Sequence, residues 1–117
     1  MIKNIIINNF AIIEKLNIPF KKGLTVITGE TGSGKTLILD ALRVSLGFKA
    51  NKIMIRSGEE KSTISTLFKN LKIGREIFKN GKTKLFLNDE LITLYNFKNN
   101  NLFKIEFHGQ NDQQIIL

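Results

Sequence analysis

The run Gly29-Glu30-Thr31-Gly32-Ser33-Gly34-Lys35-Thr36 fits the pattern G-x-x-x-x-G-K-[ST] at every fixed position. Glycines let a backbone curl until several N–H groups point at one anion. Lys35 supplies charge for the β- and γ-phosphates of a nucleoside triphosphate, and the Thr36 hydroxyl is a ligand for Mg²⁺. A helix that starts just after the loop adds the positive end of its dipole. From this composition, a chance match somewhere in the chain has odds of roughly 1%.

Such a loop has to lie between a strand and a helix, and the flanking residues supply both. Residues 24–28, Leu-Thr-Val-Ile-Thr, form a short β-branched run that predicts a buried strand. Residues 37–46 predict a helix closed by Gly47. Upstream, residues 2–9 and 11–20 predict two antiparallel strands, and Lys21-Lys22-Gly23 turns into the loop strand. Downstream, residues 62–69 predict a strand, and a hairpin follows around the turn pair Asn80-Gly81. Residues 91–97 predict a short helix and 102–107 a last strand, before a polar and helical end. The fold class is therefore α/β, a P-loop NTPase with an antiparallel β layer. Inserting that layer before any second parallel strand is the order of an ABC-type head.

The chain has 117 residues and no cysteine, which excludes disulfides and thiolate metal sites and suits a reducing cytoplasm. No apolar stretch approaches the ~20 residues of a membrane-spanning helix. The net charge of +8 would suit a nucleic-acid partner. Yet the lysines are scattered, and Lys, Asn and Ile dominate the composition as in proteins of A+T-rich genomes. Charge alone therefore does not establish DNA binding.

Three stretches together resemble the start of the RecN family of bacterial DNA repair proteins, which are SMC-like ABC ATPases. They are Asn9-Phe10-Ala11-Ile12-Ile13-Glu14, the segment from Gly23 through Thr36 with Leu39-Asp40-Ala41-Leu42 and Leu46-Gly47 after it, and Ile55-Arg56-Ser57-Gly58. The likeness continues through Phe86-Leu87-Asn88 to His108-Gly109-Gln110 and so covers nearly the whole chain. It implies that residues 1–117 are the amino-terminal lobe of an ABC/SMC-like ATPase head, without the coiled coil and carboxy-terminal lobe. It implies ATP and Mg²⁺ as cofactors, held by Gly29, Glu30, Thr31, Gly32, Ser33, Gly34, Lys35 and Thr36. Lys35 and Gln110 would serve catalysis, and Thr36 and Gln110 the metal. Gln110 is the Q-loop candidate, with Gln113 and Gln114 close enough to compete for the role. Arg56 falls where such heads carry an arginine near the nucleotide or DNA. The implied partners are a second head, as a homodimer of the full-length protein, and DNA, with no membrane. The implied work is ATP-dependent recombinational repair of double-strand breaks.

Other readings stay open. Leu85-Phe86-Leu87-Asn88-Asp89-Glu90 imitates the apolar strand ending in Asp-Glu that holds Mg²⁺ and polarises water in ATPases. Asn88 interrupts its apolar run, however, and the hairpin puts its end in a turn. His108 has no second His or Cys to form a metal site. Phe68, Phe78 and Phe86 could stack on bases but predict core packing, because they fall at strand spacing. A truncated, non-hydrolysing interaction module, or a small P-loop kinase or GTPase, would share the loop. The last two lack an acceptor site or the guanine-reading Asn-Lys-x-Asp.

Overall fold

A computed structural model describes residues 2–20, 33–99, 106–107 and 115–116. The loop strand at 24–28, the loop residues Gly29, Glu30, Thr31 and Gly32, and Gln110, Gln113, Gln114 and His108 all lie outside the described residues.

Six antiparallel strands make one sheet, β1 (Asn4–Phe10), β2 (Ile13–Pro19), β3 (Lys61–Leu67), β4 (Lys72–Phe78), β5 (Thr83–Leu87) and β6 (Glu90–Ile92). Their order is β2-β1-β3-β4-β5-β6. The helix α1 (Ser33–Ser45) packs on one face of this sheet, chiefly on β3, β4 and β1. A 3-10 turn (Lys52–Met54) leads from the helix back to β3, and a short helix α2 (Leu94–Lys98) follows β6. A separate pair, β7 (Glu106–Phe107) and β8 (Ile115–Ile116), is antiparallel. Strand rather than helix thus occupies 115–116.

Alternation decides which residues enter the core. Ile5 and Ile7 of β1, Ile64 of β3, Ile73 and Ile77 of β4 and Leu85 of β5 are buried in one cluster with Leu39, Leu42 and Val44 of α1 and with Leu46 just after it. In β1 the period of two breaks at Asn9, whose φ of 55° lies in the left-handed region and turns Phe10 inward instead. Asparagine tolerates that region because its short polar side chain can bond locally.

Phe78 and Phe86 do not pack in the core. They stand on the sheet face away from α1 and are half-buried. The amino groups of Lys84 and Lys61 lie 5.3 and 6.0 Å from the centre of the Phe78 ring. The strand spacing was right and the face was wrong, because Arg75 and not Phe78 shares the inward row with Ile73 and Ile77. Phe68 does pack against the core.

The two hairpin turns also differ from expectation. At Asn80-Gly81 the loop has three residues, closed by Phe78 N–H to Lys82 O at 2.8 Å and Gly81 N–H to Phe78 O at 2.9 Å. Only Gly81 has positive φ, at 90°, so this is a type I turn with a glycine bulge and not a two-residue turn. The two-residue turn lies further on, where Asn88 and Asp89, with φ of 51° and 68°, connect the paired residues Leu87 and Glu90. Leu91 and Ile92 accordingly belong to β6, and the helix expected over 91–97 begins only at Leu94, capped by Thr93.

Candidate functional site

The helix α1 begins at Ser33, four residues earlier than its apolar periodicity shows, so Ser33, Gly34, Lys35 and Thr36 are its first turn. Polar and glycine residues carry no amphipathic signal, and their helical state is legible only from the backbone. The first N–H groups of a helix have no partner within it and carry partial positive charge. No acidic side chain in this first turn neutralises them. Thr36 is exposed. The donor set therefore fits a phosphate chain with its metal ion: backbone N–H groups, a lysine and a threonine hydroxyl.

Arg56 is held through its backbone. It follows Ile55, which bridges Phe10, and its N–H donates to Asn9 O at 2.8 Å. Its backbone is tied to the end of β1 and not to α1.

The acidic pair Asp89-Glu90 lies at the turn between β5 and β6. Both residues are exposed, Asp89 is the second residue of the two-residue turn, and its carboxylate accepts from Lys72 Nζ at 2.8 Å. Among the described residues no group of three or more His, Cys, Asp or Glu could hold a metal ion.

The opposite end of α1 carries contacts that the loop motif does not announce. Gly47, with φ of 95°, ends the helix: its N–H reaches Val44 O at 3.2 Å while Phe48 N–H reaches Arg43 O at 3.1 Å. Arg75 Nη1 then donates to Val44 O at 2.9 Å and to Phe48 O at 3.0 Å, and Nη2 to Thr83 Oγ1 at 3.3 Å. Arg75 is 5% exposed, and its Nε finds no partner among the described residues. Burial pulls its pKa below the ordinary guanidinium value, yet arginine stays charged in proteins. Beside it the buried Ser45 hydroxyl bonds Thr66 Oγ1 and donates to Leu42 O at 2.8 Å. A charged residue at an inward position of an alternating strand, as in Ile73-Gly74-Arg75-Glu76-Ile77, is the sequence signal that could have revealed Arg75.

Comparison with known proteins follows the same lines. Residues 4–116 match the AAA_23 family of AAA domains. The DNA repair protein RecN of Vibrio cholerae is 34% identical, over 100% of this chain and 25% of its own length. The RecN of Bacillus subtilis is 31% identical, over 100% of this chain and 24% of its own. The chain thus spans about a quarter of the length of these relatives. An SMC ATPase whose structure was solved for its ATP-driven dimerisation and DNA-stimulated activation superposes with a TM-score of 0.72 at 24% identity, covering 84% of this chain and 75% of that one. The recombination mediator RecF with ATP gives 0.71 at 22% identity, covering 83% and 30%. At these identities the structures speak to the fold. The chain shares the head fold of these SMC and RecF structures, is similar over its whole length to part of the RecN proteins, and belongs to the AAA domain family.

Proposed function

We propose that this lobe binds ATP with Mg²⁺ through residues 29–36, as part of a RecN-like protein that acts in the cytoplasm in recombinational repair of DNA double-strand breaks. The observation that carries the reading is the start of α1 inside the G-x-x-x-x-G-K-[ST] motif, with no acid in its first turn. Lys35 neutralises the β- and γ-phosphates, and the backbone N–H groups of Ser33 to Thr36 face the same anion. Thr36 and Gln110 hold the metal ion, which when bound neutralises the charge of the phosphates. Arg56 stands at the end of β1 as a further nucleotide or DNA contact. The catalytic contribution of Lys35 is stabilisation of charge on the transferred group, with Gln110 orienting the water.

In the full-length protein ATP would be sandwiched between this lobe's phosphate loop and the signature motif of a second head of a homodimer, and DNA would engage the intact protein. The likeness to RecN, and to an SMC ATPase whose dimerisation is driven by ATP, supports that picture. Alone, residues 1–117 should bind nucleotide weakly and turn it over scarcely at all, because the Asp89-Glu90 pair that imitates a catalytic Asp-Glu is exposed at a hairpin turn, with Asp89 paired to Lys72. Titration with Mg-ATP tests the binding: wild type should bind, and Lys35→Ala should bind at least about 10-fold more weakly, as expected for removal of a charged hydrogen bond. Equal affinities would remove Lys35 from the site.

A further inference from the structure

The two ends of α1 are held very differently. Toward its carboxy terminus Ala41, Leu42, Val44, Ser45 and Leu46 are all no more than 2% exposed. Toward its amino terminus Thr36 is exposed and Leu37, Ile38 and Asp40 are only half-buried, with Leu39 the one buried side chain of residues 36–40. The gripped end is also the end with directional contacts. The hydrophobic term is non-directional and by itself leaves the tilt and axial register of a helix on a sheet less sharply specified. Hydrogen bonds from a rigid planar group specify both. One Arg75 nitrogen donates to both Val44 O and Phe48 O, on either side of the Gly47 turn, and the other nitrogen reaches Thr83 on β5. A single side chain thus fastens the end of α1 to two strands.

The charge itself is informative. Among the described residues no carboxylate bonds Arg75, and its partners are two carbonyls and one hydroxyl. A buried charge without a counter-ion is costly, and an apolar side chain of similar volume often serves stability as well or better. The negative end of the α1 dipole is what offsets it here. That ties the guanidinium to the helix end specifically, and not to generic cohesion of the core.

We propose that Arg75 is a positioning residue for the phosphate loop, fixing the tilt and axial register of α1 and hence where Ser33 to Thr36 stand. The inference rests on the reading of residues 29–36 as a nucleotide site. At ~1.5 Å rise per residue the 13-residue helix is a lever of about 20 Å. A rotation of roughly 3° about its pinned end moves the first turn by about 1 Å, enough to misplace several N–H groups relative to one anion. Linkage makes the effect reciprocal. If the clasp raises nucleotide affinity by some factor, nucleotide must protect the clasp by the same factor.

The experiment compares wild type, Lys35→Ala, Arg75→Lys and Arg75→Met in the intact protein. Mg-ATP affinity is measured below the unfolding midpoint of each variant, and hydrogen exchange of the Gly47 and Phe48 amides is followed in wild type with and without Mg-ATP. Arg75→Met should lose about 10-fold in affinity while folded, and Arg75→Lys, which keeps one donor near the carbonyls, should lose less. Nucleotide should slow exchange at Gly47 and Phe48 more than at the β6 amides, which report only general stabilisation. Wild-type affinity in a folded Arg75→Met overturns the inference alone. Should Arg75→Met not fold, unchanged affinity in Arg75→Lys together with no selective protection at Gly47 and Phe48 overturns it equally. Failure of wild type to bind Mg-ATP overturns the reading of the loop and the inference with it.

Discussion

Ser45 on α1 and Thr66 on β3 join hydroxyl to hydroxyl across the helix–sheet interface, and both residues are fully buried. Ser45 has a second partner, the Leu42 carbonyl, whereas Ser45 is the side-chain partner of Thr66. Removing one member therefore strands the other unequally. Ser45→Ala should cost about 1–3 kcal/mol, the desolvation of an orphaned Thr66 hydroxyl. Thr66→Val should cost less, since Ser45 keeps Leu42 O. The double variant should be more stable than the sum of the two costs implies, as for partners in contact. Chemical denaturation of the four proteins checks the cycle, and strict additivity would show that the hydroxyls do not interact.

Two glycines in the left-handed region should respond differently to alanine. At Gly47 an added Cβ would meet the Phe97 ring at 3.1 Å and Leu94 at 3.3 Å, on top of a φ of 95°. At Gly81, with φ of 90°, it would meet nothing within 4 Å. Gly81→Ala should cost about 1–2 kcal/mol, the backbone term alone. Gly47→Ala should cost visibly more, because α2 must also give way. Thermal unfolding of both variants decides; equal losses would mean that α2 yields freely.

The acidic pair after β5 should be dispensable for chemistry. Glu90→Gln should leave Mg-ATP affinity and any residual turnover unchanged. Asp89→Asn should change stability by no more than about 1 kcal/mol, the usual range of an exposed ion pair such as Lys72–Asp89. A turnover rate abolished by Glu90→Gln would place this pair in the reaction after all.

The left-handed alanine between β1 and β2 offers a test of strain. Ala11 has φ of 52°, and its N–H bonds Met54 O at 2.7 Å. Ala11→Gly keeps that N–H and removes the clash of Cβ with the backbone, a relief of about 1–2 kcal/mol, partly offset by the greater freedom of glycine when unfolded. A small rise in unfolding temperature is the expected result, and a clear fall would mean that the Ala11 methyl packs usefully, as its place against the core permits.

The residue pattern alone determined a good deal. It determined the phosphate-loop motif at 29–36, the β–β–helix–antiparallel order, the strands expected over 2–9, 11–20 and 62–69 and found at Asn4–Phe10, Ile13–Pro19 and Lys61–Leu67, and the closing role of Gly47. All of these follow from local chemistry: glycine needs, β-branched runs and a 3.6-residue apolar period. What only the tertiary structure decided are matters of face, register and partner. Phe78 and Phe86 turned outward because strand period fixes two faces and does not say which one meets α1. Asn88-Asp89, with no glycine, took the two-residue turn because Lys72 on the neighbouring strand bonds Asn88 from both its N–H and its carbonyl. Arg75 became the clasp of α1 because β4 brings it to the carbonyls of Val44 and Phe48, residues 31 and 27 positions away. A contact at that separation leaves no periodic trace in the sequence, since it exists only once helix and sheet have closed on each other.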